Sequence, residues 1–278
     1  MTLPLRLLLG LALAALIGWL SLKRGALSRS GAAGAALIGG LVFGLGGVVW
    51  GLVLIAFFLS SSLLSAFRRR AKAQVVREFA KGERRDLAQT LANGGLAALF
   101  AAGAGIVTPD SRWYPICFLA FLGALSAATA DTWATEIGIL SAQPPRLITT
   151  GRPAPAGASG GVTPLGLAAS LAGGTFIGFC AYLLLILTSA PASWLLPAIG
   201  AIAGFIGAAF DSLLGATWQA AYYCPTCAKT TEQTVHHCGA PTRLVRGRRW
   251  LDNDLVNTFA TLAGALVAVG LSAFLSSA

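Results

Sequence analysis

Charge is what this sequence has least of. Only 11% of its 278 residues are Asp, Glu, Lys or Arg and 56% are hydrophobic, whereas soluble domains carry about a quarter charged residues. Such a chain cannot cover a soluble globule with polar surface, so it is read as a polytopic membrane protein. Acids are scarcer than bases, 10 against 20, which leaves a formal net charge of +10. In a soluble domain that excess would point to nucleic acid. Here the basic residues stand between apolar runs, where they fit topology, anionic headgroups or an anionic substrate instead. The only two histidines, His236 and His237, sit side by side in one cysteine-bearing loop, so chemistry elsewhere cannot depend on imidazole. There is no Walker sequence and no protein-kinase signature, so no standard phosphate loop marks a nucleotide site. The apolar run at residues 7–22 lacks a small-x-small cleavage site beside it and is expected to be a membrane anchor rather than a signal peptide.

Glycine, by contrast, is plentiful at 34 residues. The pairs Gly40/Gly44, Gly47/Gly51, Gly174/Gly178 and Gly200/Gly204 have the spacing that lets membrane helices approach closely, and are expected to serve packing. Apolar runs of about 20 residues predict an all-α bundle of about eight transmembrane helices, at 3–22, 31–47, 48–67, 87–107, 113–130, 165–187, 194–211 and 255–275. Residues 31–67 are too long for one span, and Gly44, Gly46 and Gly47 mark the turn that divides them. Of the 20 Lys and Arg, 18 fall in residues 23–30, 68–86, 131–164 and 212–254, leaving Arg6 and Arg112 on the other side. Basic loops stay in the cytosol, so both termini are expected outside and the long loops inside. Residues 1–278 are expected to form a single transmembrane domain with a cytosolic active face.

The few acids are placed unevenly. Asp131-Thr132-Trp133-Ala134-Thr135-Glu136 follows the fifth apolar run, Asp211-Ser212 ends the seventh, and Asp252-Asn253-Asp254 opens the eighth, with Asn257 one turn on. A carboxylate beside hydrocarbon is costly and usually serves an ion, a substrate or another charge. Hard oxygen donors of this kind suit magnesium, which keeps several waters and bridges a few carboxylates to phosphate. Asp131, Glu136, Asp211 and Asp254 are the candidate ligands. A plainer reading has Asp131 and Thr132 end a helix at the headgroups, and has Asn253 or Asp254 cap the last helix. If the helix persists through Glu136, five-residue spacing sets Asp131 and Glu136 about 140° apart. Either it breaks there or the two acids serve different partners. Gln89 and Asn93, four residues apart, share a face that lipid would penalise and that should turn into the bundle.

Three loops carry further signals. The basic stretch from Arg68 to Asp86 looks like a charged helical extension of the third span, either a solvated anchor or a phosphate site. Gly151-Arg152-Pro153 and the Gly157–Pro164 stretch could aim backbone N–H groups at an anion, with Thr163-Pro164 as cap and first residue of the sixth span. A plain flexible connection is the competing reading. Cys224-Pro225-Thr226-Cys227 followed by His236-His237-Cys238 has the look of a compact zinc knuckle over 224–238, with Cys224, Cys227, His237 and Cys238 as ligands, or else of a reduced metal-free loop. Cys117 and Cys180 lie inside spans and are expected to be small core side chains.

A-D-T-W-A-T-E-I-G at Ala130–Gly138, G-G-V-T at Gly160–Thr163, D-S-L-L-G-A-T-W-Q at Asp211–Gln219, H-H-C-G at His236–Gly239 and N-D-L-V-N-T-F at Asn253–Phe259 together resemble one family of integral membrane proteins. It is the family, domain of unknown function 92, that includes phytyl-phosphate kinase of the vitamin E pathway and transmembrane protein 19. The resemblance runs from about Gly25 to the C-terminus. It implies phosphoryl transfer from a nucleotide, CTP, to an isoprenyl monophosphate. Under that reading Asp131, Glu136, Asp211 and Asp254 bind Mg2+, and Thr132, Thr135 and Ser212 orient water or phosphate. Arg152, Gly160, Gly161 and Thr163 hold phosphates, with Asn93, Asn257 and Asp252 in support. The expected partners are CTP, the isoprenyl phosphate and membrane lipids, with a homodimer left open and nucleic acid excluded. The rival expectations are a transporter or lipid scramblase, and a CTP-dependent cytidylyltransferase.

Overall fold

The computed structural model describes residues 2–67 and 84–277. Among these, eight helices are long and apolar enough to cross a membrane. They are α1 (Leu3–Lys23), α2 (Arg29–Leu41, continued by a π-helical turn, Val42–Gly46), α3 (Val48–Ala66), α4 (Leu87–Ile106), α5 (Trp113–Gly138), α6 (Pro164–Leu187), α7 (Leu196–Thr217) and α8 (Asn253–Ser277). The chain is an all-helical, multi-pass integral membrane protein. The turn expected near Gly44–Gly47 is present: Gly47 has φ +98°, a conformation open to glycine and strained for other residues. Gly47 thus ends the π-helical turn, with the Arg6 guanidinium 3.2 Å from where a Cβ would stand, while its partner Gly51 packs against the Phe43 ring.

α5 is the centre of the bundle, with every residue from Ala120 to Ala130 buried. Around it helices approach through glycine. A Cβ on Gly174 of α6 would lie 2.3 Å from the Gly200 carbonyl oxygen of α7, and one on Gly178 would lie 2.2 Å from that of Leu196. On another side, a Cβ on Gly123 of α5 would stand 2.3 Å from the Gly264 carbonyl oxygen of α8. In lipid the apolar effect does not hold helices together, and such close backbone contact takes its place. Gly174→Ala must therefore push α6 and α7 apart, and is expected to destabilise the protein by about 2 kcal/mol. Denaturant titration of the purified variant in detergent checks this, and unchanged stability would contradict the glycine contact.

The helix ends correct the spans expected from sequence. α5 continues eight residues past Ala130 to Gly138, and α7 continues past Asp211 to Thr217. The expected spans stopped at Ala130 and Asp211, with persistence of the fifth helix through Glu136 left open. Here Asp131 and Asp211 face a polar cavity inside the protein, so the backbone has no reason to stop. At α8 the cap is Asp252, not Asn253 or Asp254: its Oδ1 accepts from the Leu255 N–H at 3.0 Å. Thr163 caps α6 as expected, accepting from the Gly166 N–H at 3.0 Å, with Pro164 in the first turn. The helical extension expected for residues 68–83 lies outside the described residues. Asp86, just after them, caps α4 by accepting from the Gln89 N–H at 2.9 Å.

The connections α1–α2, α5–α6 and α7–α8 gather at one end of the bundle, where α3 ends and α4 begins. Ser28 N–H donates to the Arg85 carbonyl at 3.0 Å, Ser65 donates to Glu136 at 2.6 Å, and Ser159 donates to Glu232. With an even number of spans, both termini lie at the opposite end. The α5–α6 loop is pinned by β1 (Arg146–Leu147) pairing antiparallel with β2 (Gly161–Val162). The α7–α8 loop folds as a three-stranded sheet in the order β4 (Lys229–Thr231), β3 (Ala221–Cys224), β5 (Arg243–Arg246).

Candidate active site

At the loop-bearing end the helices enclose a cavity of about 670 Å³, within the ~300–1,000 Å³ of typical small-molecule sites. Its wall contains most of the residues singled out from the sequence: Asn93, Asp131, Thr132, Thr135, Glu136, Gly160, Gly161, Thr163, Asp211, Ser212 and Asn257. Asp254, Asp252 and Arg152 are not part of the wall. Asp254 is buried in the first turn of α8, within electrostatic reach of Glu232. Arg152 is exposed, with its N–H on Thr150 Oγ1.

Because α5 remains helical, its two acids point to different partners. Asp131 turns toward α7, where its carboxylate acts on Asp211. Glu136 turns toward α3 and α4, accepting from Ser65 Oγ and acting on the Arg85 guanidinium. The expectation that Asp131, Glu136, Asp211 and Asp254 ring one ion is therefore revised. Among the described residues, the only set of three or more such side chains close enough to share an ion is in the cysteine loop, not among these acids. What remains is an Asp131–Asp211 pair across the cavity. Asp211 Oδ2 is buried and has no hydrogen-bond partner among the described residues. A buried carboxylate oxygen is rarely left so, because desolvating it without a partner is expensive.

The polar residues around the pair have defined jobs. Thr132 donates its hydroxyl proton back to the Ala128 carbonyl at 2.8 Å. Asn93 and Asn257 donate their side-chain N–H to Gln89 and Asn253 carbonyls at 3.1 and 2.9 Å, which holds both amides on the cavity side of their helices. Gly160 has φ +81°, and a Cβ there would lie 2.4 Å from Ala216 Cβ, so only glycine lets this loop sit against the end of α7.

Two lining residues were not picked out as site residues from the sequence. Arg85 is the single Lys or Arg on the cavity wall among the described residues, and it was hidden among eight basic residues of its segment. Burial pulls its pKa down and the Glu136 charge partly offsets that. Glu232 reaches the wall from the end of β4, where it accepts from Ser159 and, at 3.0 Å, from Gln219 Nε2. Burial raises its pKa, those two hydrogen bonds and the Arg246 charge lower it, and Asp254 raises it again. Its segment, Thr230-Thr231-Glu232-Gln233, carries no motif. The remaining signal was scarcity: an acid between two spans among only 10 in the chain.

The cysteine loop forms a second centre beside the cavity. Cys224, Cys227, His236 and Cys238 bring their ligand atoms within 4.8 Å of one another and could hold a metal ion. The expected ligand His237 is replaced by His236. His236 is 3% exposed with Nδ1 3.2 Å from Cys238 Sγ, whereas His237 is exposed. Neighbouring residues in a tight turn point opposite ways, and the turn closed by the His236 N–H on the Ala240 carbonyl carries His236 inward.

Comparison with known proteins decides the family. Residues 12–265 match the family described as integral membrane protein DUF92. The chain belongs to that family. It is 33% identical to Protein PGR of Arabidopsis thaliana over 98% of this chain and 95% of that protein. It is also 26% identical to an uncharacterized membrane protein of Methanocaldococcus jannaschii, over 95% of this chain and 94% of that one. With an uncharacterized membrane protein of Synechocystis it shares 24% identity over 82% and 79%. No solved structure matches the chain.

Proposed function

We propose that this protein transfers a phosphoryl group from a nucleoside triphosphate, CTP, to an isoprenyl monophosphate at the loop-bearing end of its bundle, which faces the cytosol. The observation that carries the reading is the Asp131–Asp211 pair, with a buried oxygen that has no hydrogen-bond partner among the described residues, on the wall of a cavity of nucleotide size. Among the described residues, four carboxylates, Asp131, Glu136, Asp211 and Glu232, and one arginine, Arg85, line the cavity. Carboxylates beside a polyphosphate are best accommodated when a divalent cation stands between them. Asp131 and Asp211 are the residues that would hold Mg2+, an ion that takes one or two carboxylates and fills its other positions with water and phosphate oxygens. Bound there, it neutralises charge on the transferring group.

The chain's own groups divide the remaining work. Arg85 meets phosphate oxygens from the α4 side, and Glu136 and Ser65 hold its surroundings. The Gly160 backbone and the N-terminus of α6 offer N–H groups and a helix dipole to the phosphates, while the Gly161 N–H is held by the Ala158 carbonyl at 2.9 Å. An oxygen of the acceptor phosphate forms a new bond to the γ-phosphorus, the bond from that phosphorus to CDP breaks, and prenyl diphosphate and CDP leave. The acceptor is already an anion, so no base removes a proton, in keeping with a cavity that histidine does not line. The cytosolic placement is supported by the 18 of 20 Lys and Arg in segments on that side.

Purified protein with CTP labelled on the γ-phosphate, magnesium and a panel of prenyl monophosphates tests this. Labelled prenyl diphosphate with CDP is the expected result. A CDP-linked lipid with pyrophosphate would show cytidylyl transfer instead, and no turnover of any acceptor would overturn enzymatic transfer.

A further inference from the structure

We infer that Cys224, Cys227, His236 and Cys238 form a structural zinc site that staples the α7–α8 loop and so holds Glu232 on the cavity wall. The thiols are free of disulfides. Cys224 and Cys238 sulfurs stand 3.7 Å apart, too far for a bond between them. That distance is close to the ~3.8 Å edge of a tetrahedron with zinc–sulfur bonds of about 2.3 Å. Three sulfurs and one imidazole nitrogen complete a Cys3His set, the composition of closed structural sites.

The backbone is built to present these ligands. Each pair ends in a left-handed residue directly after its last cysteine: Ala228, φ +53°, after Cys227, and Gly239, φ +82°, after Cys238. A non-glycine residue in that region costs energy and persists only where the surroundings require it. Here it folds the chain back so that amides can approach sulfur, and Cys238 receives the Ala240 N–H. Such outer hydrogen bonds orient thiolate ligands. His236 is the other anomaly. Its ring is buried, Nδ1 faces a sulfur, and Nε2 has no hydrogen-bond partner among the described residues. Nothing else there accounts for putting an imidazole inside.

The sheet needs such a staple. Its strands are three or four residues long, and sheets this small are marginal without added support. Cys224 ends β3, the pairing Cys224↔Lys229 closes the hairpin, and Glu232 follows β4 directly. Metal on one side of the hairpin therefore fixes the acid on the other.

The full chain purified in detergent without a histidine tag is expected to carry one zinc per chain by elemental analysis. His236→Ala should lose most of it, and His237→Ala should retain it. Because a variant could fail to fold, the wild type is also read directly. A chelator should expose three additional thiols to a thiol reagent and raise hydrogen exchange across residues 221–246, with the spans unchanged. Cobalt refilling should give thiolate charge-transfer bands. Wild-type protein without zinc and without cobalt bands, a Cys224–Cys238 disulfide, or equal zinc loss in the two histidine variants would each overturn the site. These readouts stand apart from catalysis, so the zinc site and phosphoryl transfer fail or survive separately.

Discussion

Asp131→Asn is expected to lower phosphoryl transfer at least ~10³-fold, the several kcal/mol that metal-borne charge stabilisation supplies, while the protein stays folded in the membrane. Asn keeps the size of the side chain and removes the negative charge, so it tests charge and not packing. Asp211→Asn should behave alike, because both acids line one cavity within electrostatic reach of each other and Asp211 has a buried oxygen without a hydrogen-bond partner among the described residues. The double variant should be little worse than either single one, since groups that act as a unit are strongly non-additive. An Asp131→Asn protein that turns over at the wild-type rate would remove the pair from the mechanism.

The second large effect is expected at Arg85. Arg85→Ala should lower kcat/KM by ~10² or more, the order of loss when a charged group that meets transferring phosphate is removed. Arg85→Lys should recover part of it, because an ammonium supplies charge but not the two-pronged geometry of a guanidinium. Arg152→Ala is the control. Arg152 is exposed and off the cavity wall, so its removal should change kcat/KM less than about twofold, as for an exposed charge screened by solvent. Steady-state kinetics on the three variants decides between the two arginines. If Arg152→Ala proved as damaging as Arg85→Ala, the phosphate position in the cavity would be wrong.

Much of this arrangement was legible in the residues. Apolar runs and basic loops gave eight spans, and Gly174/Gly178 with Gly200/Gly204 gave a real helix contact. The Thr163-Pro164 start of α6 also followed from capping chemistry alone. The misses share a cause: each depended on what a residue faces. Ending the fifth span at Ala130 and the seventh at Asp211 assigned the residues beyond them to cytosolic loops, whereas both helices run on along a protein-lined cavity. The five-residue spacing of Asp131 and Glu136 did show that one ion would not suit both. That Glu136 has Ser65 and Arg85 for company required knowing that α3 and α4 end beside it. His236 and His237 are indistinguishable in a string of letters and are separated only by the direction of a turn.

The even number of passes has a practical side. An affinity tag or fluorescent reporter joined ahead of α1 or after α8 would emerge on the face remote from both the cavity and the cysteine loop. Handles that bind no metal should leave substrate access and metal content undisturbed at either end, and reporters at the two ends should give the same signal in any sidedness assay.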